Sequence, residues 1–243
     1  MQAAVGSQCV ECVRSSRPPL PERLRRWNAG QTALATKIII ALNVLVFVIG
    51  LSGGGGGSLL NGQGSTQIDL GLNAIFLRDG EWYRLITSGF THAGLLHLGL
   101  NMWFIWILGQ MLERSIGSLR FTLLYFAALL AGSAGALIAD PFALTVGASG
   151  AAFGLLGAMV VGMRQRGMSV LRSDVGMLLI LNLVLTFAIP GIAIGGHIGG
   201  LIGGGLCGAA LLAPRRERRW WELIVPIAVM VASVAIAYWA AWN

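Results

Sequence analysis

Charge is what this sequence has least of. Of 243 residues only 11% are charged while 56% are hydrophobic, and the mean hydropathy is +0.74. Soluble domains carry about 25% charged residues, so the chain lacks the polar surface that a water-soluble fold requires. Cysteine is nearly as sparse, at three, which excludes a disulfide-built scaffold. Cys9 and Cys12 form a single C-x-x-C, half of a zinc site with no histidine near it, so no metal or other cofactor is expected. Cys207 sits among small residues and reads as packing. No apolar run lies close to Met1. The first 35 residues are polar and include Pro18, Pro19 and Pro21, so residues 1–35 read as a cytoplasmic, disordered tail instead of a cleavable signal peptide.

What the chain has is apolar length. Seven windows approach the roughly 20 residues that cross about 30 Å of hydrocarbon, at 36–52, 92–112, 119–138, 144–163, 175–191, 193–213 and 223–242. In lipid each must be helical, because a helix satisfies its own backbone hydrogen bonds. The expected fold is therefore an all-α, polytopic membrane bundle of seven transmembrane helices. Fifteen of the 17 Lys and Arg residues fall on one side of that topology, leaving Arg78 and Arg84 on the other. The positive-inside rule then puts the N-terminus inside and the C-terminus outside. The formal charge of +7 accordingly reports topology and not a nucleic-acid partner; the lipid bilayer is the partner it implies.

The longest connection, 53–91, opens with Gly53 to Gly57, a flexible run. Its second half mixes aromatic, aliphatic and charged residues, so Trp82, Tyr83 and Arg84 are placed at the outer headgroup level. The sixth window, GGHIGGLIGGGLCGAA, carries small residues on every face and is expected to form the buried centre of the bundle. The first and last windows, with bulkier side chains, are expected at the periphery.

Strongly polar groups inside spans are costly and mark function by default. They are His92, His97, Asn101, Ser149, Asn182 and His197, and they include all three histidines of the chain. Windows two, four and six enter from the same side. Ser149 and His197 lie about five residues into theirs, roughly 7 Å deep at 1.5 Å per residue, with His97 level with them and Asn101 one turn deeper. Four costly residues from three helices thus share one layer. His97 and Asn101, four apart, project from one helix face, so their donors can point at a single oxygen.

Ser149 needs a base to become a nucleophile, and His197 is the candidate. No acidic residue lies mid-span to orient it, so any serine hydrolysis runs on a dyad. Gly147 and Gly150 would let backbone N–H groups approach an oxyanion beside Ser149. Taken singly, Ser149 is also a normal packing residue, and a lone intramembrane histidine also suits a proton relay or a haem ligand. The common depth favours catalysis. A membrane protein without enzymatic activity, either a chaperone-like binder of transmembrane helices or a proton-coupled transporter, is the alternative reading.

HLGLNM from His97 to Met102 resembles the H-x-x-x-N motif of the rhomboid intramembrane serine proteases, and GASG around Ser149 resembles their G-x-S-G. GGHIGGLIGG resembles A-H-x-x-G-x-x-x-G, with Gly200 and Gly204 in place. EWYRLITSGFTHAGLLH resembles the family's interfacial loop, and LERSIGSLRF the link between core helices two and three. The resemblance, to the bacterial type, covers about residues 36–213. It implies a six-helix catalytic core at 36–213 followed by a basic cytoplasmic loop and a seventh helix at 214–243, in a bacterial cell membrane. It implies an endopeptidase acting on transmembrane protein substrates near the outer face, with oligomeric state left open. It assigns Ser149 as nucleophile and His197 as base, and sets His97, Asn101 and the Ser149 N–H around the oxyanion. His92 matches another histidine often found at the start of that helix.

Two positions depart from the pattern. Gly196 replaces alanine, a change expected to favour closer packing. Phe153 stands where many members have tyrosine and can still stack on His197. Zinc and aspartate-dyad chemistry are excluded by absence: there is no H-E-x-x-H and no intramembrane aspartate pair. Asp140, before Pro141, reads as a turn residue.

Overall fold

The computed structural model describes residues 2–3, 6–7, 33–52, 64–189, 191–213 and 221–243. Cys9, Cys12, the Gly53–Gly57 run and the arginine run at 215–219 lie outside the described residues. Gln2–Ala3 (β1) pairs antiparallel with Gly6–Ser7 (β2). All the other described elements are helical. They are α1 (Leu34–Ser52), three short helices α2 (Ser65–Leu70), α3 (Ala74–Arg78) and α4 (Arg84–Thr87), a 3-10 turn at Ser88–Phe90, then α5 (Leu95–Ile116), α6 (Ser118–Ala139), α7 (Ser149–Gln165), α8 (Asp174–Ala188), α9 (Ile194–Leu211) and α10 (Trp221–Trp242).

Each apolar window contains one long helix. Five of these, α1, α5, α6, α9 and α10, are long and apolar enough to cross a membrane; α7 has 17 residues and α8 has 15. The shortfall of α7 has a local cause. Thr145 exchanges backbone hydrogen bonds with Leu72 at 2.8 and 3.0 Å, and Gly147 adopts φ +117°, so residues 144–148 enter as irregular chain. Ser149 is therefore the first residue of its helix and not the sixth of a longer one.

The centre of the bundle is α6, not α9. The share of the span that is buried is 67% for α6 against 44% for α9. α6 is gripped by α9 and α10 and also packs on α7, whereas α9 keeps one face, including Ile202 and Leu206, exposed. The glycines of α9 instead serve close contact with α6 and α7. A Cβ at Gly200 would lie 2.0 Å from the Gly150 carbonyl oxygen of α7, and one at Gly204 2.0 Å from the Gly154 oxygen. Backbone meets backbone there, which only small residues permit. A Cβ at Gly196, by contrast, would find its nearest atoms at 3.6 Å, so alanine fits and the glycine brings no closer approach.

α1 and α10 are peripheral, with Leu45, Val48, Val231 and Trp239 exposed. At the end of α1 opposite the short helices, Glu113 of α5 is buried and joins three helices. Its carboxylate accepts from the Ala35 and Thr36 N–H groups at 2.8 Å each, from Thr36 Oγ1 at 2.7 Å and from Ser118 Oγ at 2.6 Å. It thereby satisfies N–H groups at the start of α1 that have no partner within the helix.

The α2–α4 segment is a packed lobe. Arg84 is 5% exposed, buried inside this lobe and not on its surface. Its Nη1 donates to the Ile68 and Gly71 carbonyls at 2.6 and 2.8 Å, its Nε lies 2.6 Å from Glu81 Oε2, and its guanidinium covers the Phe76 ring at 3.8 Å. Trp82 and Tyr83 remain exposed. Ser133 of α6 donates to the Leu85 carbonyl at 2.8 Å, and Ala74 N–H to the Pro141 carbonyl at 2.6 Å. Asp140 does act as a turn residue, its Oδ1 accepting from the Phe142 and Ala143 N–H groups.

Candidate active site

A cavity of about 390 Å³ lies where α5, α7, α8 and α9 meet. His97, Asn101, Ser149, Phe153 and His197 all line it, from three different helices. Each stands near the start of its helix: His97 is the third residue of α5, Ser149 the first of α7 and His197 the fourth of α9. Their convergence on one cavity thus has a structural origin in the clustering of three helix N-termini.

Starting a helix at Ser149 has a chemical consequence. The N–H groups of Ser149 and Gly150 have no carbonyl four residues back within the helix, and the helix dipole gives that end partial positive charge. An anion forming beside Ser149 would meet both. The neighbouring Gly147 contributes differently from expectation. Its N–H is already donated to the Ser88 carbonyl at 2.8 Å. Its role is space: a Cβ would lie 2.6 Å from His97 Cε1 and 2.7 Å from Nε2, and its φ of +117° is in any case a glycine conformation. Gly150 packs against Gly132 and Gly196, where a Cβ would come within 3.2 and 3.3 Å of backbone atoms.

His97 Nδ1 faces the Ala93 N–H at 3.4 Å, so Nε2 carries the ring hydrogen and is a donor. Asn101 Nδ2 donates one hydrogen to the His97 carbonyl at 2.8 Å and keeps a second. His92 does not line the large cavity. It is buried ahead of α5, with Nε2 3.4 Å from the Ala148 N–H and its ring edge-on to His97 at 5.1 Å between centroids. Gln67 Nε2 holds the His92 carbonyl at 2.7 Å. His92 therefore braces both His97 and the residue before Ser149.

Phe153, one turn after Ser149, stacks on His197 with centroids 4.1 Å apart and planes 16° from parallel. Stacking fixes the plane of the imidazole, and Thr186 of α8 meets its Nδ1 at 2.8 Å. Thr186 went unnoticed in the sequence because a threonine in a membrane helix ordinarily bonds its own helix; the signal was its position four residues after the polar Asn182, which also lines the cavity.

A rhomboid-domain family model matches residues 79–214, more than half of the chain, and that stretch contains every residue of this site. The chain belongs to the rhomboid family. Among its relatives, the rhomboid protease GluP of Bacillus subtilis is 34% identical over 207 residues, covering 84% of this chain and 40% of GluP. The rhomboid relative YdcA of the same organism is 34% identical over 146 residues, 58% of this chain and 73% of its own length. RHOMBOID-like protein 6 of Arabidopsis thaliana, described as mitochondrial, is 35% identical over 153 residues, 60% of this chain and 48% of its length. The chain thus spans less than half of two of these three relatives. Family membership and five apolar helices make this rhomboid a multi-pass membrane protein. The relatives include a plant protein, so the likeness does not by itself indicate a bacterial source.

Proposed function

We propose that this chain is an intramembrane serine endopeptidase that cleaves transmembrane segments near the outer membrane face. The observation that carries the reading is the single cavity onto which Ser149, His197, His97 and Asn101 converge from three helices. In this mechanism His197 takes the Ser149 proton as the hydroxyl attacks a peptide carbonyl. The oxyanion is met by the Ser149 N–H, His97 Nε2–H and the second hydrogen of the Asn101 amide. His197 then protonates the leaving amine, and water entering the cavity hydrolyses the acyl-enzyme. A helical substrate must first unwind, because its carbonyls are shielded by their own hydrogen bonds, so glycine or proline near the scissile bond favours cleavage.

The same proposal places all seven long helices across the bilayer, N-terminus inside and C-terminus outside, with a catalytic core at 36–213, a cytoplasmic tail at 1–35 and an appended element at 214–243. A bacterial cell membrane is the proposed location. The non-enzymatic alternative predicts no reactive serine. Labelling of the purified protein with a fluorophosphonate probe tests this directly: labelling is expected in the native chain and absent in Ser149→Ala. A native chain that remains unlabelled while folded would sink the enzyme reading.

A further inference from the structure

A serine hydrolase with a dyad lacks the carboxylate that ordinarily fixes which imidazole nitrogen carries the proton. Here the hydroxyl of Thr186 occupies that position. Thr186 is 1% exposed, and its Oγ1 has two close neighbours, the Asn182 carbonyl oxygen at 2.7 Å and His197 Nδ1 at 2.8 Å. A hydroxyl has one hydrogen to give. The carbonyl can only accept, so that hydrogen goes to Asn182, and the lone pairs of Oγ1 are left facing Nδ1. An unprotonated Nδ1 would set two acceptors 2.8 Å apart; a protonated one completes both bonds.

We infer that Thr186 is a positioning residue that holds His197 as the Nδ1–H tautomer, leaving Nε2 unprotonated toward the cavity. The inference rests on the proposed role of His197 as base. When His197 accepts the serine proton, its Nδ1–H bond to Thr186 becomes charge-assisted, and the Thr186–Asn182 hydroxyl–carbonyl pair disperses the charge with no buried anion. The link also crosses between helices, since Thr186 is on α8 and His197 on α9. α8 is otherwise largely exposed, with Met177, Val184 and Phe187 all outside the core. The base is therefore held in one tautomer only while the outer half of α8 lies against α9.

The full chain in detergent, labelled with ¹⁵N-histidine, gives the decisive readout. It contains only three histidines, so His197→Gln assigns the His197 signals. The native protein is expected to show His197 protonated at Nδ1, and Thr186→Ser to retain that signature. Thr186→Val, which keeps the shape and removes the hydroxyl, should shift His197 toward Nε2–H or a mixture. On a transmembrane peptide substrate it should lower kcat about ten- to a hundredfold, the worth of a hydrogen bond to a charged group, with KM little changed. An Nε2–H tautomer in the native protein would overturn the inference even if Thr186→Val failed to fold. So would native kcat and tautomer in a folded Thr186→Val. A native chain that shows the Nδ1–H tautomer but neither labels with fluorophosphonate nor cleaves would defeat the proposed function and leave the hydrogen-bond assignment standing.

Discussion

Replacing Gly200 with alanine drives a methyl group into the backbone of α7. The added methyl carbon would stand 2.0 Å from the Gly150 carbonyl oxygen, against about 3.4 Å for an ordinary contact, so α9 must withdraw from α7 by about 1.4 Å. Gly200 lies one turn after His197, and Gly150 follows Ser149 directly. The displacement is therefore applied almost at the proposed dyad. A misplacement of about 1 Å costs on the order of a hundredfold in rate. Overpacking costs about 1–3 kcal/mol, offset by the roughly 0.5–1 kcal/mol that alanine gains over glycine within a helix. Net destabilisation of about 0–2.5 kcal/mol is expected, together with a loss of cleavage on the order of a hundredfold. Gly196→Ala is the internal control. It adds the same methyl one turn earlier, where the nearest atoms stand at 3.6 Å, and should leave cleavage unchanged and stability equal or slightly higher. Thermal unfolding and peptide cleavage on the two purified variants give the comparison. Native-level cleavage by Gly200→Ala, or equal damage from both variants, would refute the claim that the α7–α9 backbone contact sets the dyad spacing.

Other expectations follow from single contacts. Gly147→Ala should lower both stability and activity, because it strains a φ of +117° and drives a methyl into the His97 ring; full activity would show that His97 can move aside at no cost. Glu113→Gln leaves donors of Thr36 and Ser118 facing an amide and should cost about 1–3 kcal/mol in thermal unfolding while sparing the dyad. Phe153→Leu removes the stack on His197 and should reduce kcat by roughly two- to tenfold, the worth of about 0.5–1.5 kcal/mol of ring contact, with KM near native. Hydrogen bonds from Tyr83 and then Arg84 hold the Glu81 carboxyl below its ordinary value near 4.5. Its stabilisation of the α2–α4 lobe is thus fully present above that value and lost as pH falls below it, which Trp82 fluorescence during acid titration should report, and Glu81→Gln should abolish that step.

The legible parts of this molecule were those governed by the solvent and by chemical rarity. Apolar length located every long helix because lipid allows the backbone no other way to satisfy itself, and His97, Ser149 and His197 stood out because polar groups are expensive there. The start of α7 was not legible, since residues 144–148 are apolar enough to continue a helix and are stopped by pairing with Leu72, a partner more than 70 residues away. The burial of Arg84 was not legible for a related reason: two of its partners are backbone carbonyls, at Ile68 and Gly71, and carbonyls leave no trace in side-chain pattern. Glycine content alone made α9 appear central, whereas burial depends on how many neighbours surround a helix, and α6 has the more.

The Glu113 joint carries a consequence for assembly. Ser118, five residues on, is beside the carboxylate as soon as α5 and α6 form, but Ala35 and Thr36 lie 78 and 77 residues earlier in the chain. Until α1 docks, the carboxylate must keep water or a proton, and the leading N–H groups of α1 must keep water as well. Neither end can leave the aqueous boundary alone, and each releases the other when they meet. Docking of α1 and burial of the Glu113 carboxylate are thereby coupled, so α1 seats fully only against an α5–α6 pair that is already formed.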